Sequence, residues 1–169
     1  VCSSDLILTI LSALAVPSQA DTGQMIPLGQ FSIDKTEVTI GQFRAFADAT
    51  GFISKAENEG GGLVYEFGWE KKGGWTWRTP YGISASDNEP AVHLTFDEAH
   101  AYCDWAGKRL PTEIEWIQAA YTEHRVAPPP GFSRGVTYPY PTGDSPVGAN
   151  CLAECGPSRP VRSEEHTSE

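Results

Sequence analysis

Apolar residues recur at helical spacing in three stretches of the chain, and the same polar start signal precedes each. Thr39 with Gln42, Thr95 with Glu98, and Thr112 with Glu115 all read as capping boxes. In that motif the threonine hydroxyl and the side chain three residues on each satisfy an orphan N–H of the first turn. Behind the first box, Phe43, Phe46 and Ala47 share a face and Gly51 stands where a helix would stop, so the predicted helix runs from about Ile40 to Thr50. Behind the second, Phe96, Ala99, Tyr102, Cys103 and Ala106 mark one face, ended by Gly107. Lys108-Arg109-Leu110-Pro111 then turns the chain, and Trp116, Ile117, Ala120 and Tyr121 follow the third box. Losing one such cap costs about 1 kcal/mol, so three of them weigh heavily for helix over loop.

Strand signals are weaker. Residues Met25 to Asp34 alternate imperfectly around Pro27 and Gly29, which predicts a short strand, a turn and a second strand into Glu37-Val38, both at sheet edges. Pro90-Ala91-Val92-His93-Leu94 is a candidate buried strand. From Phe52 to Asn88 no period is visible, while Gly60-Gly61-Gly62, Gly73-Gly74 and the group Trp69, Trp75 and Trp77 dominate. A loop longer than about 12–15 residues in a compact domain is either functional or disordered, and the aromatic content favours an ordered excursion. Its aromatics could line a groove for an extended peptide or a sugar, but packing of the loop onto the body is the stronger expectation. Pro128-Pro129-Pro130-Gly131 and Tyr138-Pro139-Tyr140-Pro141 exclude regular structure beyond Tyr121. Frequent Gly and Pro with clustered Trp point to a loop-rich fold whose irregular segments are pinned by aromatic burial.

The two ends change how composition is read. Val1 to Leu6 can be encoded by an oligonucleotide whose reverse complement, slightly extended and read in another frame, encodes Arg162 to Glu169. We read residues 1–6 and 162–169 as translated sequencing adapter, which native codons continuing through the parent locus would refute. Ile7 to Val16 is apolar and uncharged, and Pro17-Ser18-Gln19-Ala20 fits a small-residue cleavage site. Residues 7–20 are therefore expected to be a signal peptide, too short for the roughly 20 residues that cross a bilayer. The mature chain would begin near Asp21, exported to the periplasm or secreted, with no membrane association after cleavage. No cysteine follows the cleavage site to carry a lipid anchor.

The chain carries 12 Lys and Arg against 22 Asp and Glu. Setting aside Arg162 on one side and Asp5, Glu164, Glu165 and Glu169 on the other leaves it acidic. An acidic chain without a basic run offers no footprint for nucleic acid. Residues 21–161 suffice for one domain by the usual span of about 100–200 residues, and that domain is expected to be truncated.

Candidate chemistry is sparse. His93, His100 and His124 form no pair at metal-ligand spacing, so a histidine metal centre is not expected. Outside the suspected adapter the cysteines are Cys103, Cys151 and Cys155, an odd number for an exported protein. Cys103 lies on the apolar face of its helix, either as a buried thiol or as half of a disulfide. Cys151 and Cys155 could bond each other or form a redox pair. Lys108 and Arg109 beside Glu113 and Glu115 invite an acid–base reading. A structural one is preferred: Glu115 serves the cap, and Arg109 suits a buried bidentate salt bridge tying the turn to the body, with Glu37 a candidate for a similar role.

The string AYCDWAGKRLPTEIEW, Ala101 to Trp116, resembles the central signature of the formylglycine-generating enzyme family, also called the sulfatase-modifying-factor family. Supporting motifs stand in the same order. They are Ile33-Asp34-Lys35-Thr36-Glu37-Val38-Thr39 with Gln42-Phe43, Thr50-Gly51-Phe52 followed by Lys55-Ala56-Glu57, Trp77-Arg78-Thr79-Pro80-Tyr81-Gly82, Pro90-Ala91-Val92-His93-Leu94-Thr95 and Tyr138-Pro139-Tyr140. Departures are Tyr140 where the family usually has Trp, Pro141-Thr142 inserted before Gly143-Asp144, and Gln118 in place of a common Tyr. The resemblance implies the family's loop-rich α+β fold related to C-type lectins. It also implies a copper-dependent oxidase that uses oxygen to convert a cysteine of a sulfatase to formylglycine, with the copper-binding cysteine pair in a C-terminal part beyond this sequence. No residue here is therefore expected to be catalytic. The resemblance further implies that Cys103 is bonded to a later segment, and that Asn150 with the adjoining Cys151 carbonyl is a calcium site. Three functions fit: an exported oxidase of a protein or peptide such as a sulfatase; an exported maturation factor like the pyoverdine-tailoring relative; or a non-catalytic lectin-like module. The ergothioneine-type sulfoxide synthases differ, since their iron ligands lie in an additional N-terminal domain.

Overall fold

The structure, a computed structural model, describes residues 1–5, 22–65 and 68–148. The suspected signal peptide, Asn150, Cys151 and Cys155 lie outside the described residues. The elements run β1 (Ser3–Asp5), β2 (Met25–Pro27), β3 (Phe31–Asp34), α1 (Ile40–Thr50), α2 (Lys55–Asn58), β4 (Gly61–Tyr65), β5 (Trp69–Gly73), α3 (Phe96–Trp105) and α4 (Glu113–Tyr121). Mixed helices and small antiparallel sheets make the fold α+β. One sheet has the order β1-β3-β2, with Ile33 opposite both Ser3 and Ile26, and the other is the hairpin β4-β5.

All three anticipated capping boxes are formed, and each helix starts at the residue after its threonine. α1 ends on Gly51 at φ 70°. At the end of α3, Gly107 at φ 70° lets Gly107 N–H reach the Asp104 carbonyl and Lys108 N–H reach the Cys103 carbonyl, at 3.0 and 2.8 Å. This double bond pattern reverses the chain tightly and delivers Lys108 and Arg109 to opposite sides of the turn.

The hydrophobic core lies between α1, α3 and the tryptophan segment. Phe43 is its centre, with ring centroids 5.0 Å from Trp77, 5.3 Å from Phe46, 5.6 Å from Tyr102 and 5.8 Å from Phe52. Most of these contacts are edge-to-face, the arrangement favoured by the ring quadrupoles.

Several expectations need correction. β3 is the central strand of its sheet and stops at Asp34, short of Val38. Pro90 to Leu94 is not a strand: only Thr39 bridges Pro90, and His93 sits at φ 58°, where an extended run breaks. His93 is held there by its Nε2 at 2.9 Å from the Pro80 carbonyl. Its ring lies so close to Gly62 that a Cβ there would come within 2.5 Å of Nδ1. The excursion from Phe52 to Asn88 is more regular than its composition implies. It holds α2, opened by a fourth capping box of Ser54 and Glu57, and the hairpin β4-β5. Its aromatics divide between roles: Trp77 is wholly buried, whereas Trp69 and Tyr65 pair edge to face on the exposed hairpin.

Residues 1–5 pack against the body. Cys2 is buried and disulfide-bonded to Cys103, so Cys103 does not wait for a later segment in this structure. The reason is geometric: β3 offers an open edge beside the end of α3, and Ser3 exchanges backbone hydrogen bonds with Arg109 at 2.7 and 2.9 Å. An unpaired edge accepts an extended segment through main-chain bonds that any sequence can make.

Candidate functional site

Every side chain singled out between Lys108 and Glu115 is placed by the turn between α3 and α4. Arg109 meets Glu115 as a fork, with Nη1 donating to Oε2 at 2.7 Å and Nη2 to Oε1 at 2.6 Å. It also reaches Asp5 Oδ1 at 2.7 Å and Ser3 Oγ at 2.8 Å. Glu115 Oε2 accepts in addition from Thr112 N–H at 2.8 Å, so one carboxylate serves cap and fork together. The hydrogen bonds from Arg109, reinforced by the Thr112 cap against the pull of burial, hold the Glu115 carboxyl down at about 2. Arg109 itself is half-buried, against the expectation of a buried pair, because the turn stands at the molecule's edge.

At Glu115 a depressed pKa becomes stability. A carboxylate whose folded pKa is lowered contributes fully above its unfolded value, 4.5, and the contribution fades as pH falls toward about 2. Thermal melts of Glu115→Gln and the unaltered protein should therefore differ most at neutral pH and converge between pH 4.5 and 2. A constant gap through that window would show that Arg109 does not hold Glu115 ionised.

Lys108, on the other side of the turn, is buried. Its Nζ donates to Asp34 Oδ1 and to the Thr22 carbonyl, both at 2.5 Å, while Asp34 Oδ2 accepts from Cys2 N–H at 2.8 Å. Only 7 % of the Lys108 side chain and 5 % of Asp34 are exposed. Glu113 is exposed on the first turn of α4, and Glu37 is exposed at the rim of a cleft. His100 pairs with Asp104 at 3.1 Å on the outer face of α3, and His124 Nε2 lies 2.8 Å from the Gln118 carbonyl.

The cleft, about 560 Å³, runs between α4 and the sheet, and nothing in the sequence pattern pointed to it. Ile26, Leu28 and Ile33 form its sheet wall; Trp116 and Ala120 form its helix wall; Tyr138 closes one end. Glu123 lies on it, nearly buried, and Arg125 binds its carboxylate through Nε and Nη2. Those bonds hold the Glu123 carboxyl at about 2. The inserted Pro141-Thr142 pair is absorbed at a turn tip, where Tyr140 and Gly143 bond each other reciprocally at 3.1 and 2.9 Å. Gly143 is needed there, since its φ is 104° and a Cβ would sit 3.2 Å from the Phe132 ring.

Glu57, a residue of the family motif Lys55-Ala56-Glu57, has a capping role that the sequence reading missed although its signal was legible, because Ser54-x-x-Glu57 is a capping box like the other three. Besides its cap it accepts from Trp77 Nε1 at 2.9 Å and from Arg78 Nε at 3.0 Å. Burial pushes the Glu57 carboxyl up, and these hydrogen bonds outweigh it, leaving the group below its ordinary value.

Chemically, these groups hold the fold. A general acid needs a pKa near the working pH, and Glu115 and Glu123 are kept ionised far below it. Cys2 and Cys103 are joined in a disulfide and present no thiolate for a soft metal. Among the described residues no group of three or more His, Cys, Asp or Glu side chains is placed to hold a metal ion. The described donors therefore do not fit a copper centre, and no reaction step is derived from them. No helix among the described residues is long and apolar enough to cross a membrane.

Comparison with known proteins places this architecture. A family model described as the sulfatase-modifying factor enzyme 1-like domain matches residues 15–158. The formylglycine-generating enzyme of Streptomyces coelicolor is 38 % identical over 116 residues, covering 56 % of this chain and 37 % of that protein. Hercynine oxygenase of Mycolicibacterium smegmatis is 34 % identical over 122 residues, 64 % of this chain and 28 % of that protein. The mouse protein named inactive C-alpha-formylglycine-generating enzyme 2 is 31 % identical over 131 residues, 65 % of this chain and 40 % of that protein. The chain thus spans well under half the length of these relatives. With the family model covering most of its length, and the capped turn of the central signature formed, the chain belongs to the formylglycine-generating-enzyme, or sulfatase-modifying-factor, family.

Proposed function

We propose that this chain is the N-terminal part of an exported, oxygen-dependent oxidase of the formylglycine-generating type, acting on a cysteine of a protein or peptide substrate such as a sulfatase. The observation that carries the reading is the match to the formylglycine-generating enzyme of Streptomyces coelicolor at 38 % identity, within a family match spanning residues 15–158. Copper is the metal this reading calls for, and its thiolate ligands belong to a later part of the gene. Calcium at Asn150 and Cys151, the leader at residues 7–20 and the lectin-like scaffold belong to the same proposal. The division of labour is consistent with the chemistry of the described residues, which are committed to caps, forks and a disulfide.

The name of the Mycolicibacterium relative supports a second reading, an oxygenase acting on a small molecule. The mouse relative's name keeps a non-catalytic member of the family in view, and the maturation-factor reading is a third. One experiment separates them. The gene is completed from its locus, and its product is loaded with copper and incubated aerobically with a cysteine-containing peptide. Loss of the cysteine thiol with formation of an aldehyde, read by mass spectrometry, is the expected result. A completed gene without the copper-binding cysteine pair, or a copper-loaded product that leaves the peptide unchanged, would overturn the reading.

A further inference from the structure

We draw no further inference here: the strongest candidate, the exposed apolar face of the β4-β5 hairpin carrying Leu63, Tyr65 and Trp69, is open sheet surface, and nothing in the structure shows what covers it.

Discussion

Trp77→Ala is expected to be among the most destabilising single substitutions in this protein, costing about 3–5 kcal/mol as large aromatic truncations in cores do. Trp77 is wholly buried against Phe43 and ties the tryptophan segment to the core by both packing and polarity. Its indole N–H donates to Glu57 at 2.9 Å, and the Arg78 guanidinium lies 4.0 Å above its ring centroid. Truncation opens a cavity and also removes a donor from a carboxylate that burial already disfavours. Trp77→Phe keeps most of the volume and isolates the second effect, so it should cost less. Urea unfolding of both variants measures the two parts. If they prove equally destabilised, the hydrogen bond to Glu57 dominates and the packing account fails.

Lys108→Met should be of similar size by a different route. Breaking a buried ion pair on one side typically costs about 3–5 kcal/mol, because the remaining charge stays buried without its partner. Asp34 would keep the Cys2 N–H and lose the Lys108 ammonium, while the Thr22 carbonyl would lose a donor. The mechanism predicts a signature that simple loss of contact does not. The double variant Lys108→Met with Asp34→Leu should recover much of the stability lost in Lys108→Met alone, since replacing both charges is often close to neutral. Additive losses in that cycle would show that the two charges are not coupled and that a stranded Asp34 carboxylate is not what makes Lys108→Met costly.

These two sites differ in how visible they are along the chain. Lys108 stands next to Arg109 in a stretch whose charges invite an acid–base reading. The difference between the neighbours is one of direction: Gly107 closes α3 in a left-handed step, and successive residues of the turn then point inward to Asp34 and outward to Glu115. Asp34, 74 residues away, cannot be assigned from the local pattern. Trp77 and Trp69 make the same point, since both sit in one glycine-rich segment, one at the centre of the core and the other on an exposed hairpin.

Helix starts, stops and family membership were determined by the sequence itself. Capping boxes and the glycine after a helix are satisfied within a few residues, and the signature Ala101 to Trp116 is a string whose meaning needs no fold. Ser54 with Glu57 belongs to the same class and was legible by the same rule. The tertiary structure decided everything that depends on which distant segment supplies the second partner. It decided the central place of β3, the positive φ of His93 under the Pro80 carbonyl, the pairing of Cys103 with Cys2, and the cleft under α4. Local hydrogen bonds are written in neighbouring residues, whereas an open strand edge or an uncovered helix face is completed by whatever the rest of the chain brings to it.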